Sequence, residues 1–209
     1  MAADKFSINK LKIDFGECLI TSESGQKDVS PGPYLSGYQE LYKFLVALGT
    51  IFSWVASDVK AKMDVLQSAM VSLPNEYKSL NTSVAHERPL KGDKGAPLRN
   101  LLRLHRALEY IIGFLKAVVK LESDDVPCAP VSQETYNNTL AKYHPWVMQK
   151  AALLAMKMLP NRGGLFEIIG SNHNRDSVEE ELNEAILKME EAYNRMQLAF
   201  DECGMLNLP

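Results

Sequence analysis

Leu98 to Val119, LRNLLRLHRALEYIIGFLKAVV, predicts a long helix with one face that changes from cationic to apolar. At about 100° per residue, Arg99, Arg103 and Arg106 fall within one narrow stripe. The same stripe continues down the helix as Tyr110, Gly113, Phe114 and Ala117. A solvated face stays polar along its whole length, so this face is typical of a surface that binds a charged head with an apolar body.

A second stretch, from Tyr34 to Leu73, shows the same change in the opposite direction. Its apolar residues recur at helical spacing, which predicts one long helix bent near Gly49. The face that carries Asp58 and Lys62, an i,i+4 pair, becomes apolar toward Phe44. We therefore expect this helix to run from apolar to charged, whereas the arginine helix runs from charged to apolar.

Antiparallel packing of these two helices would bring their charged parts together and place their apolar stripes face to face. Asp58 to Phe44 and Arg103 to Ala117 each cover 14 residues, or about 21 Å at roughly 1.5 Å per residue. That exceeds the roughly 15 Å of one bilayer leaflet, so a lipid chain would fit between them. We expect the apolar pocket to be lined by Phe44, Leu48, Ile51, Phe52, Trp54, Val55, Leu115 and Val118.

The alternative is that these charges form a buried ion-pair network between two core helices. Such networks are costly to desolvate. Three arginines and Lys62 against the single carboxylate of Asp58 also leave an excess of positive charge. This excess favours an anionic ligand.

The composition indicates one globular domain, residues 1–209, with 46% hydrophobic and 23% charged residues. Its net charge of -3 gives no general attraction to nucleic acid, so any attraction to acidic partners is local. Three widely spaced cysteines predict neither a disulfide framework nor a zinc site. The start of the chain does not resemble a secretory signal, and the most apolar run, Phe44 to Ala56, is too short to span a bilayer. We expect a reducing, cytosolic location.

Helical periodicity elsewhere, without convincing strand alternation, predicts an all-α fold. A capping box at Ser177 and Glu180 is predicted to begin the last helix, which continues to about Phe200. The other predicted helices are Ile8 to Ile20, Glu76 to His86, Gln133 to Lys142 and Trp146 to Met158, and Leu165 to Ile169 is predicted to be a short turn.

Three motifs together resemble the glycolipid transfer protein superfamily, particularly its branch that carries ceramide-1-phosphate. They are LVALGTIFSWVASDVKAKM, LRNLLRLHRAL and the stretch from Asn138 to Arg162 that begins NTLAKYHPWV. The resemblance extends over essentially the full length. It implies a two-layer, all-helical sandwich of about eight helices that holds one sphingolipid, with its chains between the layers and its headgroup at the surface.

The resemblance also implies a role for each polar residue. Asp58 would accept a hydrogen bond from the ceramide amide, and His144 would donate one to the amide carbonyl. Lys62, Arg99 and Arg103 would surround the phosphate, because guanidinium groups pair bidentately with its oxygens.

Position 103 is where the resemblance separates phosphate carriers from sugar carriers. Glycolipid-binding members have a tryptophan at the position of Arg103, on which a sugar ring stacks. A further loop arginine of the ceramide-1-phosphate branch is absent, and Lys94, or else Lys91, would replace it. Arg106 is equally compatible with ligand contact and with pairing to a buried acid.

These features predict transfer of ceramide-1-phosphate or a related phosphosphingolipid between membranes, by a monomer that is not an enzyme. No cofactor, metal or nucleic acid is expected. Contact with the membrane would be transient, through Tyr38 or Trp146 together with lysines that attract anionic lipids. Trp146 is equally compatible with a place in the core. The alternatives are a glycolipid carrier on the same fold and a helical lipid-sensing or protein-interaction module.

Overall fold

The computed structural model describes residues 5–22, 25–88, 96–170 and 175–208. Within these ranges the chain forms nine α-helices and one short β-hairpin, so the all-α prediction is confirmed with a small addition. The helices are α1 (Ile8–Glu17), α2 (Pro31–Ala47), α3 (Ser53–Ser72), α4 (Leu80–Glu87), α5 (Ala96–Val119), α6 (Ala129–Asn138), α7 (Trp146–Met156), α8 (Arg162–Ile169) and α9 (Arg175–Glu202). Short 3-10 turns occupy Thr50–Phe52 and Ala141–Tyr143.

The β-hairpin pairs β1 (Leu19–Thr21) with β2 (Lys27–Val29) in antiparallel register. It lies where the first helix was predicted to continue to Ile20, because α1 ends at Glu17. Arg195 of α9 holds both strands, since its Nη1 donates to the carbonyls of Ile20 at 2.8 Å and Asp28 at 3.1 Å. A distant side chain therefore stabilises extended backbone that local spacing did not indicate.

The long bent helix predicted around Gly49 is wrong, because the chain reverses there. Gly49 has a φ of +103°, a conformation that side-chain-bearing residues rarely adopt, and the helix cannot continue through it. A Cβ placed on Gly32, at the start of α2, would lie 3.5 Å from Met70 Cε near the end of α3. Helices α2 and α3 therefore run side by side in opposite directions.

Several other boundaries differ from prediction: α4 begins at Leu80 and not at Glu76, α6 is Ala129–Asn138 and not Gln133 to Lys142, and α8 and α9 also differ. Helix α9 already begins at Arg175, so Ser177 is not its cap. Leu165 to Ile169 belongs to a longer helix, α8, whose cap is Asn161: its side chain accepts a hydrogen bond from the Gly164 amide at 2.9 Å. In both cases the helix starts earlier than the apolar pattern indicated.

Helix α5 packs against α3, α6 and α9. A buried carboxylate supports its first turn: Glu87 accepts the Leu98 amide through both oxygens, at 3.0 and 3.2 Å, and also the hydroxyl of Tyr77. Burial raises the pKa of Glu87, although these two donors act to lower it. Glu87 thereby satisfies a backbone donor that the first turn of a helix leaves without an intrahelical partner.

The buried apolar residues form two separate clusters. The larger unites α1, α2, α3, α5, α8 and α9, whereas the smaller comprises Tyr136, Ala141, Ala152 and Met156 from α6, α7 and the turn between them. No helix among the described residues is long and apolar enough to cross a membrane.

Close packing of α1 against α2 gives a stability prediction. A Cβ at Gly37 would lie 2.6 Å from Cε2 of the buried Phe15 ring, which is too close. A Cβ at Gly32 in the same helix would lie 3.5 Å from Met70 Cε, an ordinary van der Waals distance. Overpacking costs about 1–3 kcal/mol, and the better helix propensity of alanine offsets up to about 1 kcal/mol. We therefore expect Gly37→Ala to lower the free energy of unfolding, measured in urea, by more than Gly32→Ala, whose cost is limited to the effect of the neighbouring Pro33. Equal stabilities for the two variants would contradict this packing.

Candidate functional site

A cavity of about 420 Å³ lies where the two apolar clusters face each other. Its walls come from α2, α3 and α5 on one side and from α6, α7 and the intervening turn on the other. Most of the lining is apolar, and the volume is within the range of ligand pockets. Its polar or charged lining residues include Asp58, Lys62, Arg103, Arg106, Tyr143 and His144.

The structure places five of the eight predicted pocket residues on this wall: Phe44, Leu48, Phe52, Trp54 and Val55. Ile51, Leu115 and Val118 do not line it. Ile51 is 42% exposed, because the chain reverses at Gly49 instead of continuing the helical stripe. Leu115 and Val118 are buried in the larger cluster, because α5 is buried on more than one flank and they occupy a flank away from the cavity.

Asp58 and Lys62 form an ion pair on the α3 wall. Lys62 also reaches the backbone carbonyl of Asp58, 3.5 Å away. The lysine side chain is only 16% exposed, whereas the aspartate side chain is 57% exposed. The Asp58 carboxylate therefore remains accessible to a further hydrogen-bond donor.

His144 enters the cavity from the turn that precedes α7. Gln149 fixes the backbone of this turn, since its Nε2 donates to the carbonyls of Ala141 at 3.0 Å and His144 at 2.9 Å. The imidazole Nδ1 is 2.8 Å from the hydroxyl of Tyr136. Sequence reasoning missed Tyr136, because nothing in the spacing of α6 marks one tyrosine as a partner of His144.

His144 is held in its neutral form. Burial lowers its pKa below 6.5, and Asp58 and Lys62 act in opposite directions, the carboxylate raising the pKa and the ammonium lowering it. Burial also raises the pKa of Tyr136, so its hydroxyl keeps its proton. A protonated hydroxyl that donates to Nδ1 leaves Nε2–H as the donor of the ring.

The three arginines of α5 differ in their surroundings. Arg103 lines the cavity and is exposed, whereas Arg99 does not line it. Arg99 lies one turn nearer the start of α5, close to Glu87. Its charge acts to lower the pKa of Glu87, whereas burial, the larger effect, raises that pKa. Lys91 and Lys94, predicted to reach the same headgroup, lie outside the described residues.

Among the described residues, Arg106 does not pair with a buried acid, which was the predicted alternative to ligand contact. Its Nη2 donates to the backbone carbonyls of Leu206 at 2.7 Å and Leu208 at 3.2 Å, and its guanidinium carbon is 4.1 Å from the centroid of the Tyr143 ring. Backbone carbonyls a hundred positions away carry no signal in the sequence.

The two aromatic residues predicted to touch a membrane have opposite environments. Tyr38 is fully buried, and its hydroxyl donates to the carbonyl of Leu104, so it cannot contact a membrane. The face of α2 that carries Tyr38 packs into the core, against Phe15 of α1 and Leu104 of α5. Trp146 is 68% exposed at the start of α7.

The arrangement suits a ligand with an anionic head and an apolar body. Charged lining residues comprise Lys62, Arg103 and Arg106 against one carboxylate, and the rest of the wall is mainly apolar. Within the part of the chain that the structure describes, no group of three or more His, Cys, Asp or Glu side chains could hold a metal ion.

Comparison with known proteins gives consistent matches. Residues 29–171 match the glycolipid transfer protein (GLTP) family. The ceramide-1-phosphate transfer protein of Xenopus laevis is 32% identical over 99% of this chain and 98% of that protein.

Solved structures are similar over the same length. The apo form of mouse ceramide-1-phosphate transfer protein has a TM-score of 0.88 and 32% identity, covering 98% of this chain and 100% of that one. Human ceramide-1-phosphate transfer protein in complex with 2:0 ceramide-1-phosphate has a TM-score of 0.87 and 30% identity, covering 99% and 100%. These likenesses confirm the two-layer helical sandwich.

The electrostatics of His144 give a prediction with opposite signs for two variants. Asp58→Asn removes an anion that raises the pKa of His144, so that pKa falls further; Lys62→Met removes a cation that lowers it, so the pKa rises. An NMR titration of the imidazole resonances measures both shifts. Lys60→Met, on the same helix but paired with Asp64 and absent from the cavity wall, is the control and leaves the pKa unchanged. Shifts of the same sign for the first two variants would contradict the geometry.

Proposed function

Because the chain belongs to the glycolipid transfer protein family, we propose that it transfers ceramide-1-phosphate, or a closely related phosphosphingolipid, between membranes. One domain, residues 1–209, would carry out this transfer. The observation that carries the proposal is a mainly apolar cavity whose charged lining residues are three cations and one carboxylate. The process is non-covalent, so the protein acts as a carrier and not as an enzyme.

The apolar wall explains how a carrier lowers the barrier to lipid exchange. Each buried methylene contributes about 0.8 kcal/mol, so two long chains make spontaneous exit from a bilayer cost on the order of 20 kcal/mol. A cavity that accepts the chains as they leave the bilayer removes much of this cost. The contacts to the headgroup then decide which lipid is extracted.

The polar groups suit the two parts of a ceramide phosphate head. Arg103 and Lys62 would pair with the phosphate, while the accessible carboxylate of Asp58 accepts the amide N–H. His144 donates its Nε2–H to the amide carbonyl, which its neutral form and its contact with Tyr136 allow. Arg99 and Lys94 would be further cations that attract the phosphate.

A sugar headgroup is the main alternative, and Arg103 argues against it. Arginine offers a charged fork that matches phosphate oxygens, whereas stacking of a sugar ring needs an aromatic face. Full-length relatives at about 30% identity are named ceramide-1-phosphate transfer proteins, in agreement with this preference.

Helix α7 provides a surface for transient contact with a membrane. Its outer side exposes Trp146, Val147 and Leu154, and Met158 just beyond it is also exposed, while residues 135–166 contain no Asp or Glu. Lys142 and Lys150 lie beside this surface, at distances of 5.0 and 5.7 Å from the centroids of the Tyr143 and Trp146 rings. An apolar strip flanked by lysines suits an anionic bilayer surface, on which the protein would work as a cytosolic monomer.

The headgroup assignment is tested by Arg103→Leu. Loss of a charge-assisted pair to phosphate is expected to reduce transfer of fluorescent ceramide-1-phosphate between vesicles by about a hundredfold or more, without loss of helix content by circular dichroism. The matched control is Lys116→Leu on the same helix, a residue that pairs with Glu190 and is absent from the cavity wall.

A competition assay on the wild-type protein completes this test. Glycosylated ceramide is expected to compete poorly with ceramide-1-phosphate for binding. Retained transfer by Arg103→Leu would show that this cation is structural, and equal competition by the glycolipid would favour a glycolipid carrier. Purification from cells without any bound sphingolipid, by mass spectrometry, would favour a protein-interaction module.

The docking surface is tested separately by Trp146→Ala. Removing this exposed ring is expected to weaken binding to anionic vesicles, and to slow transfer, by about tenfold, while the affinity for a short-chain ceramide-1-phosphate in solution stays unchanged. Leu187→Ala, which truncates an equally exposed apolar side chain on α9, is the control. Equal loss in both variants would show that docking is not localised to α7.

A further inference from the structure

Arg106 contacts two separate parts of the chain, the segment that follows α9 and the turn that carries Tyr143 and His144. Its Nη2 donates to the carbonyls of Leu206 and Leu208, in the segment that follows α9, at 2.7 and 3.2 Å. Its guanidinium group lies 4.1 Å from the ring centroid of Tyr143, directly before His144. We propose that Arg106 is a positioning residue that joins this segment to the Tyr143–His144 turn and so holds His144 at the headgroup site.

The segment after α9 is a fixed anchor. Gly204 turns the chain with a φ of +66°, Met205 is buried, and Leu206 and Leu208 pack against the larger apolar cluster. Two carbonyls of this segment therefore have a defined position relative to α5. Arg106 transmits that position to a turn on the side of the smaller cluster.

Gln149 ties the turn at the second end of the connection to α7, but not to the larger apolar cluster. Helix α7 packs mainly against α6, and the cavity separates it from most of the larger cluster. Among the described residues, the His144 side chain forms a hydrogen bond with one partner, Tyr136. A planar guanidinium stacked on Tyr143 limits movement of the adjacent residue without occupying the cavity.

The alternative is that Arg106 binds the phosphate directly. Its Nη2 is already occupied by two carbonyls, and its Nε is buried without a partner and so is inaccessible to a ligand. Burial lowers the pKa of Arg106, and the nearby charge of Arg103 adds to this effect. An arginine kept at this cost, with carbonyls and an aromatic ring as partners, fits a connecting role better than a ligand contact.

This inference rests on the proposed function, but the two make separable predictions. His144 would contact the amide, which phosphorylated and unphosphorylated ceramide share. Misplacing His144 should therefore lower the affinity for both lipids by the same factor. Losing a phosphate contact should lower the affinity for the phosphorylated lipid only.

The binding experiment uses the full chain with short-chain fluorescent ceramide-1-phosphate and ceramide. Arg106→Lys keeps the charge but loses the planar fork, and Tyr143→Leu removes the stacking partner. We expect each variant to weaken the binding of both lipids by the same factor, up to about tenfold, because the contact at stake is one neutral hydrogen bond to the amide. Arg103→Leu should weaken the binding of ceramide-1-phosphate only. A loss in Arg106→Lys confined to the phosphorylated lipid would overturn the proposal and make Arg106 a phosphate ligand.

A measurement without lipid keeps the inference testable if the proposed function fails. In the ligand-free protein, NMR should show that Arg106→Lys moves the pKa of His144 upward toward 6.5, because a loosened turn lets water reach the imidazole. Arg162→Lys is the control, since Arg162 is a largely buried arginine that stacks on Phe166 and does not line the cavity, and it should leave the pKa of His144 unchanged. An unchanged pKa in Arg106→Lys would overturn the positioning role. Failure of the wild-type protein to bind ceramide-1-phosphate would instead overturn the proposed function.

Discussion

The candidate ligand site depends on a concentration of positive charge beside an apolar cavity. Lys62, Arg103 and Arg106 line the same space as a single carboxylate, Asp58, while the surrounding wall is mainly apolar. Bringing these cations together costs free energy through desolvation and mutual repulsion. A bound anion reverses that cost, so the arrangement favours a ligand whose charge and apolar body arrive together.

Much of the site could be predicted from the sequence because it lies on α5, a long helix with a regular pattern. Helical spacing placed Arg103 beside Tyr110 and Phe114, and all three line the cavity. The same spacing did not identify the right flank for Leu115 and Val118, since α5 is buried against α3, α6 and α9. A helical wheel shows which residues are apolar, but it does not show which neighbour each one faces.

The parts that sequence did not predict depend on backbone conformation or on distant partners. Gly49 is compatible with both a bend and a reversal, and only the packing of α2 against α3 decides between them. Arg106 binds carbonyls of residues 206 and 208, which have no side-chain signature. The contact between Tyr136 and His144 likewise arises only after α6 and the following turn have folded together.

The division of the core into two apolar clusters explains how a cavity can persist in a stable protein. Larger-cluster residues such as Phe44, Val59 and Phe114 face smaller-cluster residues such as Ala152 and Met156 across it. Acyl chains placed there add apolar contacts between the clusters and need not disrupt either one, so lipid entry does not oppose folding. Helix α7 carries part of this wall on one side and the exposed Trp146 on the other, which places extraction of the chains beside the surface proposed to meet the membrane.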